Sequence, residues 1–230
     1  MKRLAWILLV VAASSMIYQF AIIAALTFIL GDGQVLFCLF TGTFLTSMGL
    51  GAYFSSRWSF SEGRFFRGQI FLAIAGILIL PLIFWIYSCL MARHETASLA
   101  SSAMISAVMW PLGLASEMLF GILIGMQLPL LQIIAKEKFH QHMSLSKILA
   151  LDYIGSFLGA AAFPLVLFPM LGLFKTNFIA ALLNTLVAGV SLTKYKDKKI
   201  ALVLILFAVV LICIGASAKL EIFFDGIIYD

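Results

Sequence analysis

Seven stretches of this chain run almost without charge for the length of a bilayer crossing: residues 4–30, 35–55, 70–91, 103–135, 148–172, 176–193 and 200–218. An α-helix needs about 20 apolar residues to cross a hydrocarbon core roughly 30 Å thick, and only helices and closed barrels satisfy their backbone there. Apolar runs this long are helical rather than alternating, so the expected fold class is all-α. It is a polytopic membrane helix bundle of about seven transmembrane helices, its surroundings the lipid bilayer.

Composition excludes the alternatives. Of 230 residues, 63% are hydrophobic and only 11% charged, and the mean hydropathy is +1.13. These values lie far outside those of soluble domains. Repeated spans use nearly the whole length, leaving no room for a sizeable soluble domain within residues 1–218. Cys38, Cys89 and Cys213 lie far apart inside apolar runs, without the spacing of a disulfide framework or a metal site. The first run follows Met1, Lys2 and Arg3 as a signal peptide would, but it continues to Leu30 and reads as a retained helix. The fourth run is overlong and holds Pro111 and Pro129. One tilted or kinked helix is its simplest reading, and this run and the short sixth are where the count of seven is most exposed to error.

Basic residues orient the bundle, because Lys and Arg resist translocation and collect in cytoplasmic loops. The N-terminus (Lys2, Arg3) and alternate loops (Arg57, Arg64, Arg67; Lys136, Lys138, Lys147; Lys194, Lys196, Lys198, Lys199) hold 12 of the 15 basic residues. The other side has Arg93, Lys175 and Lys219. The N-terminus is therefore expected in the cytoplasm, and an odd number of crossings puts the tail beyond Lys219 outside. Topology accounts for the net charge of +5, so no nucleic-acid partner is implied.

Of the ten acidic residues, only Glu117 and Asp152 fall within spans. A carboxylate in hydrocarbon costs about 2.5–3.5 kcal/mol even on the lenient insertion scale, so such residues face the bundle interior and often mark a pathway. Asp152 enters its span near the cytoplasmic face, where a helix N-terminus favours negative charge. Glu117 lies near mid-span. Gly113, Glu117, Gly121 and Gly125 recur every four residues and form one helical stripe, and Gly155 and Gly159 form a second. Small residues at this spacing let helices approach closely. Because no Lys or Arg lies in a span core, Glu117 is expected to be protonated, bonded to a polar neighbour such as Gln19, or awaiting an external cation. Gln127 falls at about the depth of Asp152, and with Tyr153 these residues are expected to line a polar recess open to the cytoplasm. The structural alternative is that each of them serves an interhelical hydrogen bond and binds nothing. His140 and His142 sit in a basic loop and read as solvated. There is no GxSxG and no HExxH, and "GDGQ" at 31–34 has no strand before it. No catalytic residue, cofactor or metal is expected in this chain.

The segments "MIYQF", "LGDGQVLFCLFTGTFLTSMGLGAYFSSR", "GMQLPLL" and "LALDYIGSFLGAAAFPLVLFPMLGLFKTNFIAALLNTLVAG" resemble the multi-span membrane domain of bacterial membrane-bound spermidine synthase-like proteins. The resemblance covers residues 14–193. Asp152, Tyr153, Gly155 and Gly159 match its most specific block, and Gly31, Asp32 and Pro129 match elsewhere. It departs at Gln19 and Gln127, where the family pattern has glutamate, so a charge-dependent role there is lost while size and hydrogen bonding are kept. The resemblance implies a bacterial inner-membrane protein whose residues 1–218 form the bundle. The tail 219–230, with "LEIFFDGIIYD", then looks like the lead-in to the first strands of an aminopropyltransferase domain absent from this chain. Three functions follow as expectations: a membrane domain anchoring or serving an aminopropyltransferase domain or subunit; a small-cation or polyamine transporter built on Glu117; or an assembly partner whose glycine stripes pack subunits into a homo-oligomer.

Overall fold

A computed structural model describes residues 2–57, 62–92, 99–139, 145–191 and 197–229, and every element among them is helical. The helices are α1 (Lys2–Leu30), α2 (Gly33–Ser56), α3 (Glu62–Ala92), α4 (Leu99–Gly125), α5 (Gln127–Phe139), α6 (Leu145–Ala162), a π-helical turn (Phe163–Leu167), α7 (Phe168–Ser191) and α8 (Asp197–Tyr229). They make six helical runs among the described residues, not the seven expected. The first five runs contain stretches long and apolar enough to cross a membrane, and a shorter apolar helical stretch spans Leu202–Ser217.

The count departs at Gly172, which joins the expected fifth and sixth spans into one 45-residue apolar stretch, Ser146–Val190. Straight, it would measure about 67 Å at 1.5 Å per residue. It is not straight. Gly172 adopts φ 75° and ψ 178°, a conformation essentially reserved for glycine, and contacts on either side of it run in opposite senses along α1. Gly155 abuts Leu9 and Gly159 abuts Ala13, while Phe163 meets Phe20 and Phe168 meets Phe28. Beyond Gly172 the order inverts, with Asn184 at Ser14 and Tyr18 and Val190 beside Trp6. The run therefore descends and returns along α1.

Proline explains two other irregularities. The expected single fourth helix breaks at Met126 because Pro129 lacks the N–H that would bond the Gly125 carbonyl, and its ring crowds that carbonyl. Met126 N–H still donates to Ile122 at 3.0 Å, so α4 finishes its last turn before α5 restarts. Pro164 acts likewise on the carbonyl of Ala160, and the helix widens so that Phe168 N–H bonds the Phe163 carbonyl, a π-type step. Pro81 and Pro111 stay inside α3 and α4. The α1–α2 connection is the pair Gly31–Asp32, both at positive φ, and the rest of "GDGQ" opens α2. From Lys219 the chain continues as α8 to Tyr229.

α1 forms the centre, packed by α2, α3, α4, α6 and α7. α2 and α4 run side by side in the same direction, and α8 lies against α7 and α3. The interior includes Tyr18, Phe40, Phe44, Phe120 and Phe178. The periphery is as apolar as the core: Leu165 is 75% exposed, Met170 76%, Phe157 71% and Ile212 70%. A surface of this kind suits hydrocarbon, not water.

Candidate functional site

Polar side chains are collected on the inward faces of the helices, at two levels. The first is at mid-length. Asn184 Nδ2 donates to Tyr18 Oη at 3.3 Å and to the Ala180 carbonyl at 2.9 Å, and Ser14 Oγ donates to Asn184 Oδ1 at 3.2 Å. Asn177 Nδ2 donates to the Gly76 carbonyl. Gly76 is the reason Tyr18 fits, since a Cβ there would overlap the phenol ring. Gln19 Nε2 donates to Thr41 Oγ1 at 3.1 Å, tying α1 to α2.

Glu117 belongs to this level and is fully buried, yet neither carboxylate oxygen has a hydrogen-bond partner. Of the three alternatives expected for Glu117, the bond to Gln19 is not made; the Gln19 amide donates to Thr41. The stripe explains where the carboxyl sits. A Cβ on Gly113 would lie 2.5 Å from Leu26 and Phe40, and one on Gly121 would overlap Ser47 and the Phe44 carbonyl. Glu117, midway along the same face, is thus pressed against α1 and α2. Thr176 Oγ1 and Asn177 Oδ1 also lack partners. The carboxylate and amide oxygens among them are acceptors and the Thr176 hydroxyl can accept as well as donate, so the level favours a donor such as a proton or a cation.

The second level lies at the end that gathers Arg57, Arg64, Arg67 and Lys147. Gln69 Nε2 donates to Gln127 Oε1 at 2.7 Å, buried between α3 and α5, leaving Gln127 Nε2 and Gln69 Oε1 without partners. Gln127 lines a recess of ≈ 430 Å³ whose walls include Arg64, Arg67 and Gly68. A recess at Gln127 was expected, but its company differs. Asp152 and Tyr153 do not line it. Asp152 is half-buried on α6, and Tyr153 is 67% exposed. An apolar cluster of Leu8, Phe65, Leu130, Leu131 and Ile148 fills this end of the bundle instead.

All five glycines expected to pack helices do so within the chain. Gly125 meets the Met48 backbone, Gly159 the Ala13 backbone, and a Cβ on Gly155 would lie 2.6 Å from the Leu9 carbonyl oxygen. The stripes are occupied by neighbouring helices of the same chain. His140 and His142 lie outside the described residues. Sequence reasoning missed Gln69, Thr41, Thr176, Asn177, Asn184 and Ser14, though Asn177 and Asn184, seven apart in an apolar run, carried a readable signal of one polar helix face. Among the described residues no cluster of His, Cys, Asp and Glu is arranged to hold a metal ion.

Comparison with known proteins gives distant relatives of one kind. The chain is 28% identical over 184 residues to polyamine aminopropyltransferase of Leptospira interrogans, covering 78% of this chain and 33% of that protein. It is 27% identical over 183 residues to polyamine aminopropyltransferase 2 of Ralstonia nicotianae, with the same coverage. With polyamine aminopropyltransferase of Corynebacterium efficiens it shares 28% over 195 residues, 80% of this chain and 34% of the relative. The chain thus spans about a third of the length of the curated relatives it matches. No family model matches, and no solved structure matches.

Proposed function

We propose that this chain is the integral membrane domain of a spermidine synthase-like protein of the bacterial inner membrane, anchoring or serving an aminopropyltransferase domain or subunit and contributing none of its catalytic residues. The observation that carries this reading is the homology itself: relatives named polyamine aminopropyltransferase match four-fifths of a chain that is helical and apolar, at about a third of their own length. The reversal at Gly172 supports seven crossings in all, since each arm of the Ser146–Val190 stretch is then close to the length of one crossing. Seven crossings keep the 12 clustered basic residues on one side, with the N-terminus cytoplasmic. The test removes residues 1–218 from cells that make the protein, then assays aminopropyl transfer to a polyamine in membrane and soluble fractions. Activity should leave the membrane fraction; activity that stays there in the deletion strain refutes an anchoring role.

Glu117 favours a second reading, a small-cation or polyamine pathway, because its buried oxygens have no donor within the chain and intramembrane acids commonly serve ion paths. Labelled spermidine uptake into vesicles should then be abolished by Glu117→Gln. Equal uptake by the variant removes this reading and leaves the first intact.

A further inference from the structure

The recess beside Gln127 is unlike the rest of the bundle surface. Two arginines, Arg64 and Arg67, stand on its α3 wall, spaced three residues apart and so on one helical face. Phe71 continues that wall as an apolar surface, and Leu123 and Leu130 face it from α4 and α5. At its inner edge is the Gln127 amide, 1% exposed, whose Nε2 has no acceptor. A buried donor with no partner calls for an explanation. Gly68 faces that nitrogen across the recess, and a Cβ there would come into ordinary contact with it at 4.0 Å. Gln69 Oε1, the other unpartnered atom of the amide pair, does not line the recess.

Charge decides the class of ligand. Among the described residues the recess walls hold two guanidinium groups and no carboxylate, which disfavours a polyamine or metal cation and favours an anion. Guanidinium groups bind phosphate oxygens through paired, charge-assisted hydrogen bonds, and the amide adds a neutral donor of the right sense. The apolar wall accommodates a hydrocarbon chain running from such a head. We propose that this recess is a phosphate-binding site, with Arg64, Arg67 and Gln127 Nε2 as donors to the phosphate oxygens. The site does not depend on the chain's relation to an aminopropyltransferase. Under the orientation set by the basic loops it opens to the cytoplasmic leaflet, where anionic lipids offer phosphate at the right depth. A phospholipid headgroup and a free phosphate present the same chemistry.

The test uses the purified full chain in detergent and native mass spectrometry, with phosphatidylglycerol as one probe and inorganic phosphate as the other. Gln127→Glu is isosteric and places a negative charge where the donor stands. The pair Arg64→Gln, Arg67→Gln removes the guanidinium groups, and Gly68→Leu fills the space while improving helix propensity. Charge-assisted bonds of this type are each worth enough for about a tenfold loss of occupancy when removed. One phosphatidylglycerol per chain, reduced in all three variants and not displaced by phosphate, assigns the site to a lipid headgroup. Inorganic phosphate that binds alone, with the same dependence on the variants, assigns it to a free phosphate. Equal retention of lipid by the wild type and by all three variants, with no phosphate bound, overturns the site.

Discussion

Gly125 and Gly42 are the same residue in helices of one protein, and their surroundings set opposite outcomes for one substitution. Alanine in place of a helical glycine gains roughly 1 kcal/mol of helix propensity where there is room. Around Gly42 nothing lies within 4 Å of the added Cβ, so Gly42→Ala should hold or raise the melting temperature in detergent. At Gly125 the Cβ would strike the Met48 backbone, which cannot rotate away. Overpacking of this sort costs about 1–3 kcal/mol, so Gly125→Ala should lower the melting temperature; an unchanged value would mean that α2 and α4 are not in backbone contact. The amides can be tested by coupling. A double-mutant cycle of Tyr18→Phe and Asn184→Leu should show a favourable interaction of about 0.6 kcal/mol, the usual size for an interhelical bond in a membrane, and zero coupling would contradict the 3.3 Å contact. The glycines and Glu117 were legible in the sequence because a four-residue stripe and a charge among apolar residues stand out by themselves. Gln69 was not. An uncharged amide is cheap enough in a helix to pass unnoticed, and only its partner, tens of residues away, gives it a role.

Helices in this chain end and turn where a backbone group loses its partner, and the signals for this differ in how openly they appear. Pro129 and Pro164 could be read in advance as disturbances, but not their outcomes, a break at Met126 in one case and a π turn in the other. Which of the two forms depends on the packing of the flanking turns, and residue identity does not record that. The reversal at Gly172 was read as a boundary between two spans, yet it fell without any loop at all. Pro164 and Pro169 look like stronger signals, but proline bends a helix while only a residue free to adopt positive φ can fold it back so sharply. Gly172→Ala should therefore destabilise the protein by about 1–3 kcal/mol, the usual cost of forcing a side chain into that region, measured by thermal unfolding in detergent. Gly189→Ala, whose Cβ would sit 3.4 Å from Val203 in regular helix, is the control and should be near neutral. Equal effects at both sites would argue that the run does not turn at Gly172.

Over the whole molecule, burial and charge divide the work. An apolar interior within an apolar periphery gives no hydrophobic gradient between core and lipid, so the helices are held by close approach and buried polar contacts, and their orientation is set by the ends. The basic residues give an expected orientation from the sequence alone, since loop charge needs no knowledge of packing. The number of crossings was not legible to the same degree, because a long apolar stretch can tilt, break or return. These two readings meet at the far end of α8. If the 45-residue stretch crosses twice, Lys219 and the tail emerge opposite Arg57 and Lys147. Cysteines placed singly at Arg57, Lys147, Asp32 and Lys219, after Cys38, Cys89 and Cys213 are changed to alanine, report this directly with an impermeant thiol reagent in intact cells. Asp32→Cys and Lys219→Cys should label, while Arg57→Cys and Lys147→Cys should label only after the cells are opened. Labelling of Asp32→Cys without Lys219→Cys in intact cells would mean that Leu202–Ser217 lies along the membrane surface instead of crossing it. That result would bring the tail back to the same side as Arg57 and Lys147.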